Sequence, residues 1–137
     1  MGSIEPDAAR MQAFASQLET EGPIVMVNLL RYRDAAAYPD GFAAAPCSGR
    51  EAYQRYSEVA LRTVAEVGGT IVYLGQVAVS VIAPTGEEWD DVALVRYPSR
   101  RAFLEMIGRA DYQAGAVHRS AALADSRLIC TKAVFPG

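Results

Sequence analysis

The sequence predicts an α+β fold in which one antiparallel sheet carries helices on a single face. Three observations predict it. Apolar β-branched runs alternate with stretches of helical periodicity in the order helix, strand, helix, strand, strand, helix, strand. The second and third of these strands follow each other directly, with Pro84-Thr85-Gly86 turning the chain between them, so they form a hairpin. Finally, 137 residues that are 51% hydrophobic and 21% charged match one domain burying its own core, so residues 1–137 read as a single unit.

Taken in order, residues 6–19 place Met11, Phe14, Ala15 and Leu18 at helical spacing, and Pro6 suits a first helical turn. After Gly22-Pro23 the run from Ile24 to Tyr32 is apolar on both faces, as a covered central strand should be, with Asn28 interrupting it. Residues 33–48 contain two prolines and a glycine without periodicity and read as a long loop, a candidate lid. Ser48 and Glu51 form a capping box: the serine hydroxyl accepts from the amide three residues on, and the glutamate reaches back to the Ser48 amide. A helix therefore starts at Gly49, with Tyr53, Tyr56, Ala60, Val64 and Val67 along one face, and stops at Gly68-Gly69. Thr70 to Ala83 is expected to be a strand bent or bulged at Gly75, and Asp91 to Tyr97 its hairpin partner. Ser99 caps a short helix through Ile107, Asp111 is expected to cap another over Tyr112 to Ala124, and Ser126 to Val134 closes the sheet.

This order is βαββαβ with an extra N-terminal helix, the split βαβ or ferredoxin-like arrangement. Helices on one face leave the other, also apolar, without a cover. A second copy related by two-fold symmetry is the simplest one, which predicts a homodimer closing a dimeric α/β barrel.

VMVNLLRYR at Val25 to Arg33, SGREAYQRY at Ser48 to Tyr56, VGGT at Val67 to Thr70, and the block from WDDVALVRYPSRRAF at Trp89 through DYQAGAVHRSAALADSRL to Leu128 resemble the DUF1330 family. The resemblance spans Pro23 to Leu128 in the same order and with compatible spacing. It implies a small dimeric α/β-barrel domain. The structural relatives of that family include cofactor-free monooxygenases, lactone isomerases, dehydratases, haem-binding proteins and proteins with no known reaction.

Composition removes other classes. Net charge is −3, and the arginines and Lys132 are scattered among acids, so no basic stripe addresses nucleic acid. The apolar stretch Val77 to Ala83 is too short to span a bilayer and the acidic N-terminus is unlike a signal peptide, so no membrane is expected and a cytoplasmic location is. Cys47 and Cys130 stand far apart without companion ligands and read as thiols outside any disulfide. No GxGxxG, Walker, HExxH, GxSxG or paired CxxC pattern occurs, and one histidine cannot form a two-histidine metal site within one chain, so neither a motif-held organic cofactor nor a metal is expected; haem on His118 is the one alternative the sequence leaves open.

The candidate site residues come from the side chains that need a partner. Asn28, amid apolar neighbours, either bonds nearby backbone or faces a pocket, where its amide polarises a substrate carbonyl. Arg31 falls on the opposite strand face and is either a carboxylate ligand or a surface ion pair. Tyr53 and Tyr56 turn their hydroxyls toward the sheet, as core residues or as lining of a ligand pocket. Tyr112, Ala116, Arg119 and Leu123 form a helical stripe; Arg119 is expected to be partly covered and to meet an acid or an anionic ligand. His118, the only imidazole, is the natural general acid or base, or a structural histidine on an alanine-rich helix. The acids around Trp89 in GEEWDD read as a solvated charge run rather than a cation site, with Trp89 packing across the dimer or on the loop. Together these residues lead to two expectations. One is a cofactor-independent isomerase, dehydratase, cyclase or monooxygenase acting on a small apolar oxygenated or acidic molecule, with His118 and Asn28 catalytic. The other is a dimeric ligand-binding or structural domain without turnover.

Overall fold

The computed structural model describes residues 2–16 and 22–135. Its elements are α1 (Ala8–Ala15), β1 (Ile24–Tyr32), α2 (Gly49–Glu66), β2 (Thr70–Gln76), β3 (Asp91–Tyr97), α3 (Arg100–Ile107), α4 (Ala110–Ala122) and β4 (Leu123–Thr131). The sheet has the order β2-β3-β1-β4 with every neighbouring pair antiparallel, the ferredoxin-like arrangement the pattern predicts.

Capping explains most helix starts. Ser48 accepts from Glu51 N at 3.1 Å while Glu51 Oε1 accepts from Ser48 N at 2.9 Å, so the expected capping box is formed in full. Ser99 caps α3 by accepting from Ala102 N at 3.0 Å. The first helix is shorter than residues 6–19, because Asp7 takes the N-cap and leaves Pro6 outside, whereas residues 17–21 lie outside the described residues. Asp111 does not cap α4. Arg109 occupies that position, and the Asp111 carboxylate in the first turn is engaged by Arg109 and Arg62 at 3.1 Å each. The chain turns straight from α4 into β4, so Leu123, expected on a helical stripe, is instead the fully buried first residue of a strand.

Alternation along the strands divides the sheet into two faces. On β1, Ile24, Met26 and Leu30 are buried under the helices, and Asn28 shares their side. Asn28 stands opposite Ala93 on β3 and Leu128 on β4. The other face is built from Val25, Val27 and Leu29 with Val92, Leu94 and Ile129, and no element of the described chain covers it. The sheet is open; a single chain does not close the expected barrel. The expected long second strand stops at Gln76: Val77 still donates to the Asp90 carbonyl at 2.8 Å, but residues 78–83 have no strand partner among the described residues. Val79, Val81 and Ile82 are consequently 74%, 89% and 95% exposed. Its irregularity falls between Ile71 and Tyr73 rather than at Gly75, whose missing side chain leaves room for the Tyr73 ring.

Two glycines set how closely the layers meet. A Cβ on Gly49 would stand 2.2 Å from the Arg33 carbonyl oxygen and 2.6 Å from that of Ala122, and the same backbone is joined by Gly49 N to Arg33 O at 3.0 Å. Gly115 brings α4 against Val59 of α2. The core beneath is one cluster centred on Met26, Tyr56, Tyr97, Phe103 and Tyr112, with a smaller one around Leu30, Ala52, Ala122 and Leu123.

A cavity between helix α2 and the sheet

Between α2 and the helix-covered face of the sheet lies a cavity of about 370 Å³. It exists because small side chains meet there: Ser57 and Ala60 on α2, Ala93 on β3. It reaches the surface beside Leu61 and Leu74, which are 50% and 62% exposed. Most of the remaining wall is apolar, with Met26, Leu30, Val95 and Ile71 among its members.

Apart from Gln54 and Gln76, exposed at the mouth, the main polar groups in the lining fall into two sets. Deep on β1 and α2 are Asn28 and Tyr53. The Asn28 amide nitrogen donates at 3.3 Å to the Ala93 carbonyl and at 3.4 Å to that of Met26, while its amide oxygen has no partner among the described residues. Backbone bonding and pocket facing, the two alternatives for this residue, thus both hold. The Tyr53 hydroxyl likewise has no hydrogen-bond partner among the described residues, and burial pushes its pKa up to about 12. Tyr56 also lines the cavity, but its hydroxyl is tied to that of Tyr112 at 2.8 Å, which leaves Tyr112 in the core behind it.

The second set stands at the Tyr32 end. Arg50 donates to both oxygens of Asp91, at 2.9 and 3.3 Å, and Tyr32 donates to the same carboxylate at 2.7 Å. The Arg50 guanidinium lies 4.7 Å from the Tyr32 ring centroid. Burial first, and then the bond to Asp91, hold the Tyr32 phenol well above its ordinary pKa. Three residues absent from the sequence-derived candidates therefore sit in the lining. Strand parity could have found Tyr32, which follows Met26, Asn28 and Leu30 on one face, and helical spacing could have found Arg50, one turn before Tyr53.

His118, Arg119 and Arg31 lie elsewhere. His118 faces the 33–48 segment, its Nδ1 2.6 Å from the Tyr38 hydroxyl and its ring edge-on to Tyr38 and Phe42. Arg55 donates to the same hydroxyl at 3.0 Å. Burial, followed by the Arg55 charge, lowers the His118 pKa. The segment is irregular, as expected, but it packs over α2 and α4 and contributes nothing to the cavity wall. Among the described residues Arg119 pairs with no acid: it donates to the Ile4 carbonyl at 2.7 Å and so fastens the N-terminal segment, which Ser126 Oγ also holds through the Ser3 carbonyl at 2.5 Å. Arg31 is exposed at an open polar cleft on the other side of the sheet, near Glu88 and Trp89. The expected solvated acid run is divided among partners. Asp90 accepts from Tyr32 N at 2.8 Å, Asp91 binds Tyr32 and Arg50, and Trp89 lies 5.0 Å from the Arg127 guanidinium. Cys47 and Cys130 form no disulfide. Among the described residues no cluster of three or more His, Cys, Asp or Glu side chains could hold a metal, and no helix is long and apolar enough to cross a membrane.

Comparison with known proteins places this geometry. The crystal structure of the RPA0582 protein of unknown function from Rhodopseudomonas palustris is 38% identical, with a TM-score of 0.89 over 99% of this chain and 100% of that one. A methylated form of RPA0582 gives 40% identity and the same TM-score over 99% and 98%. A dimeric protein of unknown function and ferredoxin-like fold from Bacteroides fragilis shares the fold at 12% identity and a TM-score of 0.50, over 81% of this chain and 96% of that one. None of the curated proteins matches. The family described as Domain of unknown function (DUF1330) matches residues 43–133, which take in α2, the sheet from β2 to β4 and the Arg50–Asp91 pair, and the chain belongs to that family.

Proposed function

We propose that this protein is a homodimeric small-molecule-binding domain whose ligand occupies the cavity between α2 and the sheet. One observation carries the reading: two polar groups without a partner among the described residues, the Tyr53 hydroxyl and the Asn28 amide oxygen, line a single, mainly apolar cavity. Both atoms open onto the cavity and are not sealed in the core, so their hydrogen bonds are available to a molecule that enters an otherwise mainly apolar space, the arrangement of a small-molecule site.

The geometry supports binding over turnover. His118, the acid/base candidate, is outside the lining and occupied by Tyr38. Within the lining, the Asp91 carboxylate is taken up by Arg50 and Tyr32, and Tyr53, pushed up to about 12, is a hydrogen-bond donor at neutral pH rather than a base.

The homodimer rests on the uncovered apolar face around Val27, Leu29, Val92 and Leu94, together with the exposed Val79, Val81 and Ile82. A contiguous apolar patch of this kind marks an interface. Native mass spectrometry of gently purified protein tests both parts. The expected result is a dimer carrying a co-purifying small molecule, the molecule being lost in Ala93→Leu, which fills the cavity, and the dimer being lost in Leu94→Glu. A monomer at micromolar concentration, or a bound molecule retained by Ala93→Leu, contradicts the reading.

A further inference from the structure

We infer that the cavity selects neutral ligands: a small, mainly apolar molecule with a carbonyl-type acceptor for Tyr53 and a hydroxyl or N–H donor for Asn28, with carboxylates excluded. This rests on the cavity being the ligand site, and it goes against the acidic metabolite that the sequence leaves open.

The argument is one of charge balance. Among the described residues Arg50 is the only cation in the lining, and it is already bound by both oxygens of Asp91, at 2.9 and 3.3 Å. Tyr32 donates to the same carboxylate at 2.7 Å, so Asp91 receives three hydrogen bonds and its charge is matched. An entering carboxylate would have to displace Asp91 from a fork geometry that suits it, and would then lie beside the charge it had displaced. An entering ammonium meets Arg50. Beyond this pair the deep wall is mainly apolar, with Met26, Leu30, Ile71 and Val95 among its members, and an ionised group placed against them loses hydration without a counter-charge in the lining. Gln54 and Gln76 are exposed at the mouth, and deeper in the cavity the polar needs that remain are one donor's and one acceptor's. Tyr53 keeps its proton at neutral pH, and the Asn28 oxygen can only accept. At about 370 Å³ the space is near the lower end of ligand pockets, which run from about 300 to 1,000 Å³, and suits a molecule of one or two rings.

The test uses matched neutral and anionic pairs of one size, beginning with 4-hydroxyacetophenone and 4-hydroxybenzoate and extending to other monocyclic ketones, amides and phenols with their carboxylate counterparts. Affinity is read at neutral pH by titration calorimetry, and location by the side-chain amide resonances of Asn28. Neutral members are expected to shift those resonances and to bind about ten-fold or more tighter than their carboxylates. In Asp91→Asn, which leaves Arg50 without its counter-ion, the preference is expected to reverse. Carboxylates binding the wild type as well as the neutral members do, or Asp91→Asn folding with its preference unchanged, overturns neutral selection and leaves the cavity reading standing. A panel in which no member shifts Asn28 overturns the cavity reading and this inference with it. Should Asp91→Asn not fold, the wild-type comparison decides alone.

Discussion

Replacing His118 with alanine decides whether this side chain holds a surface segment or serves a ligand. The ring makes one hydrogen bond, to the Tyr38 hydroxyl at 2.6 Å, and two edge-on contacts, with centroids 5.4 Å from Tyr38 and 5.9 Å from Phe42. A hydrogen bond of this kind contributes about 0.5–1.5 kcal/mol, and an aromatic pair about 0.5–1.5 kcal/mol beyond its buried area. Phe42 is 39% exposed, which puts these contacts in the lower half of the range and the sum near 2 kcal/mol. In a domain of this size each kcal/mol moves Tm by about 3–5 °C, so His118→Ala should lower Tm by roughly 6–10 °C in a circular-dichroism melt. Hydrogen exchange should rise at Ala36 and Ala37, whose amides bond to Cys47 and Ala121.

The same contact has a pH signature. Arg55 already donates to the Tyr38 oxygen, so the hydroxyl proton is directed at Nδ1 of a neutral imidazole. Burial and the Arg55 charge keep the folded pKa of His118 below its ordinary 6.5, with Glu58 opposing them weakly. The unfolded chain therefore takes up its proton first as pH falls. Stability from this group is fully present above 6.5 and is lost as pH drops through the lower folded value, and the alanine variant should lack that step. A variant that melts within about 1 °C of wild type yet no longer binds ligand would refute the holding role and return His118 to the chemistry.

Two further substitutions probe the packing behind the site. Gly49→Ala places a methyl group 2.2 Å from the Arg33 carbonyl oxygen, between backbone groups that cannot swing aside, and should cost about 3 kcal/mol or more; a melt unchanged from wild type would show that the α2 start can shift. Tyr112→Phe strips the buried Tyr56 hydroxyl of its 2.8 Å partner and should lower the urea midpoint by about 1–2 kcal/mol in stability at constant m, whereas an unaltered midpoint would mean that Tyr56 finds another acceptor across the cavity.

The features legible in the sequence are those fixed by local rules. Ser48 and Glu51 need only a helix between them to satisfy each other, and they place the start of α2 at the residue where it occurs. Alternation along Ile24 to Tyr32 correctly separates Asn28 from Arg31, because it depends on the pleat alone. Local rules fail where tertiary partners decide. VAVSVIA has strand composition at Val77 to Ala83, but a strand also needs an edge to pair with, and within this chain β2 ends at Gln76. Leu123 suits a helix as well as a strand, and what selects the strand is its pairing with Tyr32.

The site follows the same division, with one consequence for how rare residues are read. His118 is the only imidazole in the sequence, yet rarity says nothing about where a side chain points, and α4 turns this one toward Tyr38 and Phe42. Asp91 was concealed for the opposite reason. It stands among four acids in the stretch from Glu87 to Asp91, and composition alone makes it one more solvated charge. Its role is set by pairing: Leu30 lies opposite Asp91 across β1 and β3, and this register points the carboxylate toward the helix-covered face, where the first turn of α2 delivers Arg50. A one-residue slip would turn Asp91 to the open face and put Asp90 in its place. The charge balance of the Arg50–Asp91–Tyr32 group is therefore a property of strand register, to which Asp90 adds two bonds at the end of the ladder: its carboxylate accepts from the Tyr32 amide at 2.8 Å and its own amide donates to Leu30 O at 2.7 Å.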